Sequence, residues 1–390
     1  MNESLSRLSN LFQKPSRIII GLMSGTSLDG LDIALCKISG SGLQTRVEVL
    51  EFETAPYAEE FKDDLRSIFS KKQVDLERVT VLNAKIGNLH AELINEFLRK
   101  YTISNLEIDC IASHGQTIYH APQRLHQLAG YPNATLQIGD SDHIAVKTGI
   151  PVLSDFRQKH VAAGGEGAPL ALYGDYILFS SKVENRILLN IGGISNFTWL
   201  PKTGSEGKIV CTDVGPGNTL IDALCKKHLN IPYDSNGDLA RRGTVNPMLL
   251  NKMLSHAFFS ESLPKTTGPE LFNLEFMEKA LDANDDIENL ISTATQLTVN
   301  AIAIAIKNVV MDAPFAIYVS GGGAKNAFLL EKLSEKFPDN LIIKTEELGI
   351  DADAKEAVLF ALLANETLCG SALDTHAGPV VMMGKVSLEK

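Results

Sequence analysis

Two segments about 170 residues apart share one plan, and that duplication restricts the folds open to this chain more than any single motif does. Arg17-Ile18-Ile19-Ile20 runs into the turn of Gly21 to Gly30, GLMSGTSLDG, and resumes as Leu31-Asp32-Ile33-Ala34-Leu35-Cys36. Arg186-Ile187-Leu188-Leu189-Asn190-Ile191 runs into Gly192-Gly193-Ile194-Ser195-Asn196 and resumes as Phe197-Thr198-Trp199-Leu200. Each reads as a buried strand, a glycine turn and a second strand. The likeness is one of structure rather than of residues, as expected of a unit built twice. A third apolar run, Phe315-Ala316-Ile317-Tyr318-Val319, ends in Ser320-Gly321-Gly322-Gly323-Ala324-Lys325-Asn326 and continues with helical spacing through Leu329, Leu330 and Leu333.

Helical periodicity is expected at Ala58 to Ser70, Leu76 to Arg99, Thr219 to His228, Ala294 to Val310 and Ala354 to Cys369. Strands alternating with helices make an α/β protein. At 390 residues, 44% of them hydrophobic, the chain is long enough for two domains. A connection between them fits the flexible Ala162-Ala163-Gly164-Gly165-Glu166-Gly167, which follows Arg157 to His160.

Charge excludes some partners. The net charge is −11, from 47 acidic against 36 basic residues, with no lysine-arginine block, so nucleic acid and anionic membranes are not expected as partners. The N-terminal stretch has no apolar signal region, and no run approaches the roughly 18 apolar residues of a membrane span, which makes the cytoplasm the default location. Cys36, Cys110, Cys211, Cys225 and Cys369 show neither CxxC nor metal spacing, so reduced thiols are expected rather than disulfides or a zinc site.

The glycines of GLMSGTSLDG let backbone approach a ligand, while Ser24, Thr26 and Ser27 add hydroxyl donors, a combination suited to a polyphosphate. Asp29 and Asp32 add carboxylates that could hold the water shell of a magnesium ion carried by a nucleotide. The alternative is a tight hairpin with polar turn residues. No Walker A pattern occurs, and Gly321 to Asn326 lacks a full GxGxxG, which disfavours both a P-loop and a Rossmann site.

In Cys211-Thr212-Asp213-Val214-Gly215-Pro216-Gly217-Asn218 a carboxylate meets a glycine-rich loop that opens a helix at Thr219. Asp213 there suits a general base; its structural alternative is a helix cap, for which Asn218 is better placed. Ser113-His114-Gly115-Gln116-Thr117 puts polar groups at the end of Cys110-Ile111-Ala112, where His114, Gln116 and Thr117 suit ligand contact, although a histidine there is more often a structural hydrogen-bonder. Asp155 and Arg157 either orient a sugar hydroxyl or carboxylate or pair with each other. Lys265-Thr266-Thr267-Gly268-Pro269-Glu270 is a loop with no role assigned from its residues alone.

With these residues in view, the chain resembles the anhydro-N-acetylmuramic acid kinases of the sugar kinase, Hsp70 and actin superfamily. The resemblance runs nearly end to end, through GLMSGTSLDG, SHGQT, LQIGD, DFR with GGEGAPL, LNIGGISN, TDVGPGN, KTTGPELFN and VSGGGAKN in the family's order. It implies a duplicated actin-like, ribonuclease H-like ATPase fold, with two domains clamping ATP and sugar in a central cleft. The domains expected are 1–162 plus 355–390, and 163–354. By motif, Gly25, Thr26, Ser27, Leu28, Asp29, Gly30 and Asp32 would contact ATP phosphates. Gly192, Gly193 and Asn196 would form the second phosphate hairpin, next to Gly215, Gly217 and Asn218. Gly321, Gly322, Gly323 and Asn326 would support the adenosine side, with Asp213 in the catalytic position. Gly165 and Glu166 join His114, Gln116, Thr117, Asp155 and Arg157 on the sugar side.

The implied reaction uses ATP and Mg2+, with no metal ion fixed by protein ligands beyond Asp29 acting through water. A water deprotonated by Asp213 attacks C1 of the anhydro sugar, the bridge opens, and O6 takes the γ-phosphoryl group, giving N-acetylmuramic acid 6-phosphate and ADP in peptidoglycan recycling. A homodimer is a family expectation. Departures from the common pattern fall on the sugar side: His160 where aspartate is usual, Glu166 where glutamine is usual, and Ala171-Leu172-Tyr173-Gly174-Asp175 in place of a Val-Pro stretch. Competing readings are a kinase of another anhydro sugar such as levoglucosan, and a non-catalytic sugar-binding regulator.

Overall fold

The structure, a computed structural model, describes residues 3–25, 27–279, 286–310, 313–351, 353–375 and 378–390. The chain divides into two compact units, Met1–Leu178 with Asp353–Lys390, and Phe179–Ala352. Gly164 to Gly167, read from sequence as a flexible connection, lies inside the first unit.

In the first unit β1 (Ser16–Ser24), β2 (Gly30–Ser39) and β3 (Arg46–Pro56) form an antiparallel meander. On the other side of β1, β4 (Cys110–Ala121) runs parallel to it, and its far half also pairs with β5 (Ala134–Ile138). The short β6 (Val152–Ser154) continues the sheet parallel to β4. In the second unit β7 (Asn185–Ile191), β8 (Ile194–Leu200) and β9 (Val210–Pro216) make an equivalent meander, followed by β10 (Phe315–Ser320) parallel to β7 and β11 (Leu341–Lys344) parallel to β10. The C-terminal β12 (Lys385–Ser387) returns to the first sheet and edges β6. Both sheets therefore have the same order: the meander with its first strand innermost, then two parallel strands. That shared topology is the duplicated actin-like plan.

Burial explains why the inner strands read as continuous apolar runs. β1 and β10 are covered on both faces and keep Ile19, Ile20, Ile317 and Val319 out of solvent. β3, at an edge, alternates exposed charge with half-buried residues. Helix Lys355–Cys369 packs directly on β1, β2 and β4. Gly21 makes that approach possible, because a Cβ there would stand 1.9 Å from the carbonyl oxygen of Ala357.

Helix Ile287–Val310 is the centre of the second unit and begins seven residues before the expected Ala294. Its Ser/Thr-rich opening does not look like core, but Thr293 and Thr295 donate their hydroxyls to the carbonyls of Asn289 and Ile291, so they are buried at little polar cost. This helix is long and apolar enough to cross a membrane, yet 78% of its most apolar window is buried within the protein. Helix Ala171–Phe179 was not expected; apolar residues surround it on all sides, so no periodicity marks it, and its buried Asp175 pairs with Lys355 at 2.7 Å.

Candidate active site

The β1–β2 turn is organised by two acceptors. Leu28 N–H reaches the carbonyl of Gly25 at 3.4 Å, with Leu28 buried in a left-handed conformation at φ 59°. Asp29 Oδ1 accepts the Ser27 hydroxyl at 2.6 Å and the Gly30 N–H at 3.1 Å. Its Oδ2 has no partner among the described residues, so the exposed carboxylate keeps one oxygen for a ligand or its water shell. Asp32 is held inward by the Thr54 hydroxyl at 2.6 Å; burial pushes its carboxyl above the usual range, with Asp29 and Asp353 adding to the rise. Thr26 lies outside the described residues. Among the described residues no group of three His, Cys, Asp or Glu side chains could hold a metal ion.

In the second unit the carbonyls of the β7–β8 turn are drawn to the loop after β9. Gly192 O accepts the Asn218 backbone N–H at 2.8 Å and its side-chain amide at 2.9 Å. Gly193 O accepts the N–H groups of Gly217 and Thr219, at 2.8 and 3.1 Å, and the Thr219 hydroxyl at 2.6 Å. Across a trans peptide the N–H points opposite the carbonyl, so the N–H groups of Gly193 and Ile194 turn away from that loop. Asn218 is a correction to the sequence reading: its side chain makes no cap bond to the helix Thr219–Leu229 but ties the carbonyls of Ile191 and Gly192 together.

Space beside the glycines separates two reasons for having them. A Cβ at Gly217 would lie 2.2 Å from Gly192 O, so packing requires glycine there. Beside Gly192, Gly25 and Gly322 the nearest atoms would be 3.5, 3.6 and 3.6 Å away, ordinary contacts. Neither packing nor backbone demands glycine at these three, one in each glycine turn, and the space beside each leaves room for a ligand to approach the backbone.

Asp213 stands within β9 rather than at its end. Its Oδ2 accepts the Thr267 N–H at 2.9 Å, and its own N–H donates to Lys265 O at 3.0 Å. Asp213 is the register partner of Asn196, Asn196 of Asn190, and Asn190 of Ser320. Cross-strand partners share a face, so four polar side chains form one row across β9, β8, β7 and β10, next to both glycine turns of this unit. Asn190, Ser320 and Thr267 were not singled out from sequence; the register exposes the first two. Thr267 Oγ1 is buried without a partner among the described residues. In the third turn Gly321 is left-handed at φ 79°, Gly323 packs on Ile191, and Asn326 caps the helix Ala327–Lys336 through Leu329 N–H at 3.0 Å.

SHGQT, expected on the sugar side, lies inside β4, which continues to Ala121 instead of ending near Ala112. His114 is buried; its Nδ1–H bonds Gly115 O at 2.8 Å, leaving Nε2 to accept Arg157 Nε–H at 2.8 Å. Desolvation holds its pKa well below the usual histidine value, with Arg157 adding to the effect, so it stays a neutral acceptor. Arg157 Nη1 donates to Gly167 O at 2.7 Å, while no described residue accepts from Nη2. Burial lowers the guanidinium pKa to about 10, still charged at neutral pH. Asp155 does not pair with Arg157; it binds Lys385 and adopts a left-handed conformation at φ 59°. Glu356, missed from sequence, is a charged neighbour of both Arg157 and Asp32.

The glycine loop is anchored within this unit. Gly167 N–H donates to buried His160 Nδ1 at 3.0 Å, Asn133 holds Gly165 O at 3.1 Å, and half-buried Glu166 pairs with Arg124 at 3.0 Å. Thr117 accepts from Gln137 at 3.2 Å. Gln116 is buried with its amide fully engaged by protein, which gives it a supporting place rather than an open face toward sugar. A separate cavity of about 580 Å³, lined in part by Tyr57, Phe61 and Leu89, contains none of the candidate site residues.

A family model described as anhydro-N-acetylmuramic acid kinase matches residues 17–378. The anhydro-N-acetylmuramic acid kinase of Pseudoalteromonas atlantica is 48% identical over 398 residues, covering 99% of each chain. That of Caldanaerobacter subterraneus subsp. tengcongensis is 40% identical over 398 residues, covering 98% of this chain and 100% of the relative. Among solved structures, the activator of the 2-hydroxyisocaproyl-CoA dehydratase from Clostridium difficile with bound ADPNP aligns with TM-score 0.40 and 10% identity, over 90% of this chain and 95% of that chain.

Proposed function

The chain belongs to the anhydro-N-acetylmuramic acid kinase family, and from that premise we propose how its residues open and phosphorylate the anhydro sugar. It is a phosphotransferase with an alcohol acceptor, converting anhydro-N-acetylmuramic acid and ATP to N-acetylmuramic acid 6-phosphate and ADP, a step that serves peptidoglycan recycling. The observation that carries the mechanism is the fixed carboxylate of Asp213, held through Oδ2 by Thr267 N–H and in one row with Asn196 and Asn190.

Asp213 takes a proton from a water molecule, whose oxygen forms a bond to C1 as the C1–O6 bond breaks. The electron pair left on O6 attacks the γ-phosphorus, and the bond from phosphorus to the bridging oxygen breaks to release ADP. Thr267, through its backbone N–H, fixes the carboxylate that takes that proton. The N–H groups of Gly193 and Ile194 and the turn at Gly25 receive phosphate oxygens, with Gly322 on the adenosine side. A magnesium ion bound to the nucleotide would offset phosphate charge, and the donor set fits a water-mediated ion, since Asp29 keeps one oxygen unengaged. Arg157, aimed by His114 and Gly167, leaves Nη2 for an anionic substituent of the sugar such as a carboxylate.

That arrangement favours a carboxylate-bearing anhydro sugar over levoglucosan. Incubation with ATP and each sugar is expected to yield ADP and a 6-phosphate efficiently from anhydro-N-acetylmuramic acid. Preferential phosphorylation of levoglucosan would reverse the assignment.

A further inference from the structure

Four buried side chains outside the reacting groups join the β1–β2 turn to the helix Leu76–Lys100. Gln116 Nε2 lies 3.3 Å from two carbonyl oxygens, those of Gly25 and Thr117, so the amino end of this amide faces them and Oε1 faces Ser24. The single Ser24 proton then goes to Gln116 Oε1 at 2.6 Å. Ser24 Oγ, 2.8 Å from the Tyr57 hydroxyl, accepts the tyrosine proton. Tyr57 Oη, its own proton committed, accepts from His90 Nε2–H at 2.9 Å. Every step is forced by the one before.

The tautomer this requires leaves His90 Nδ1 unprotonated, and that atom is buried without a partner among the described residues. The histidine thus carries an unused acceptor in the core, which a residue kept only for packing would not need. Burial lowers its pKa to about 4, so the ring is neutral and the direction of the chain does not change at physiological pH. Gly25 O, where the chain ends, is also the acceptor for Leu28 N–H and so sets the shape of the turn.

We propose that His90, Tyr57, Ser24 and Gln116 form a one-way hydrogen-bond relay that fixes the Gly25 carbonyl, making His90 and Tyr57 positioning residues for nucleotide binding without contacting the nucleotide. The inference rests on the reading of this turn as a phosphate site. It gives Gln116 a role on the nucleotide side rather than in sugar contact.

The test measures ATP Kd, and KM for ATP and for sugar separately, in Tyr57→Phe, His90→Phe, His90→Gln and Gly25→Ala. Tyr57→Phe keeps the ring against Phe61, 4.8 Å away edge-on, and is the variant that preserves the fold. Loss of one buried side-chain hydrogen bond predicts ATP Kd about 3–10-fold weaker in Tyr57→Phe and His90→Phe. Sugar KM should stay within about twofold, and His90→Gln, whose amide restores the donor, should recover most of the affinity. Wild-type ATP affinity in Tyr57→Phe together with weakened binding in Gly25→Ala overturns the relay alone, as does an equal rise in both KM values. Unchanged binding in Gly25→Ala overturns the phosphate reading and the relay with it.

Discussion

Replacing Gly217 by alanine places a Cβ 2.2 Å from the carbonyl oxygen of Gly192 and 3.1 Å from that of Gly193. Both obstacles are backbone, so no rotamer relieves them, and the β7–β8 turn must separate from the loop after β9. Three backbone bonds are at stake, from Gly217, Asn218 and Thr219. At about 0.5–1.5 kcal/mol net each, their loss costs about 1.5–4.5 kcal/mol in the second unit. Displacing the outward N–H groups also weakens ATP binding by about 10–100-fold, as expected for one charge-assisted hydrogen bond. Gly192→Ala is the contrast, because its new methyl group would find nothing nearer than 3.5 Å. That variant should unfold within about 1 kcal/mol of wild type yet lose ATP affinity, since the methyl group occupies the phosphate approach. Urea denaturation and titration calorimetry on both variants separate the two effects. Wild-type ATP binding by Gly192→Ala, or wild-type stability of Gly217→Ala, would overturn the division of these glycines into ligand-facing and packing positions.

Three further outcomes follow from the same geometry. Asp213→Asn should lower kcat by about 10²–10⁴-fold with ATP Kd unchanged within about twofold, and retention of near-wild-type kcat would remove Asp213 as the base. His160→Ala should release Gly167 and loosen Arg157, raising sugar KM about 3–10-fold in steady-state kinetics with ATP KM unchanged; an equal rise in both would make His160 merely structural. The third concerns pH. His90 is depressed to about 4 when folded, so its contribution to stability is complete above the unfolded value near 6.5 and is lost as pH falls toward 4. His90→Gln should therefore flatten the stability profile over that window by up to ~1.4 kcal/mol per pH unit, measured by denaturation at several pH values; an unchanged slope would contradict the buried neutral imidazole.

The duplicated strand–turn–strand plan was legible because inner strands of a covered sheet are continuous apolar runs ended by glycine. β3, β5 and β6 were not legible: one is an alternating edge strand and the others are short. Asp213 was visible as a carboxylate among glycines, but its row with Asn196, Asn190 and Ser320 depends on strand register, which a linear reading does not supply. Gln116 and Asn218 looked like ligand or cap residues, since sequence shows a polar side chain but not whether protein carbonyls already engage it. His160, met first as a departure from the family pattern, is the acceptor that holds Gly167, which in turn receives Arg157.

Under the proposed mechanism, Asp213 drives hydrolysis of the anhydro bridge and phosphorylation as one coupled event. Mass spectrometry of the product formed in oxygen-18 water tests it most directly. One heavy oxygen is expected on the anomeric carbon and none in the phosphate; label in the phosphate, or an unlabelled anomeric oxygen, would overturn the coupled step.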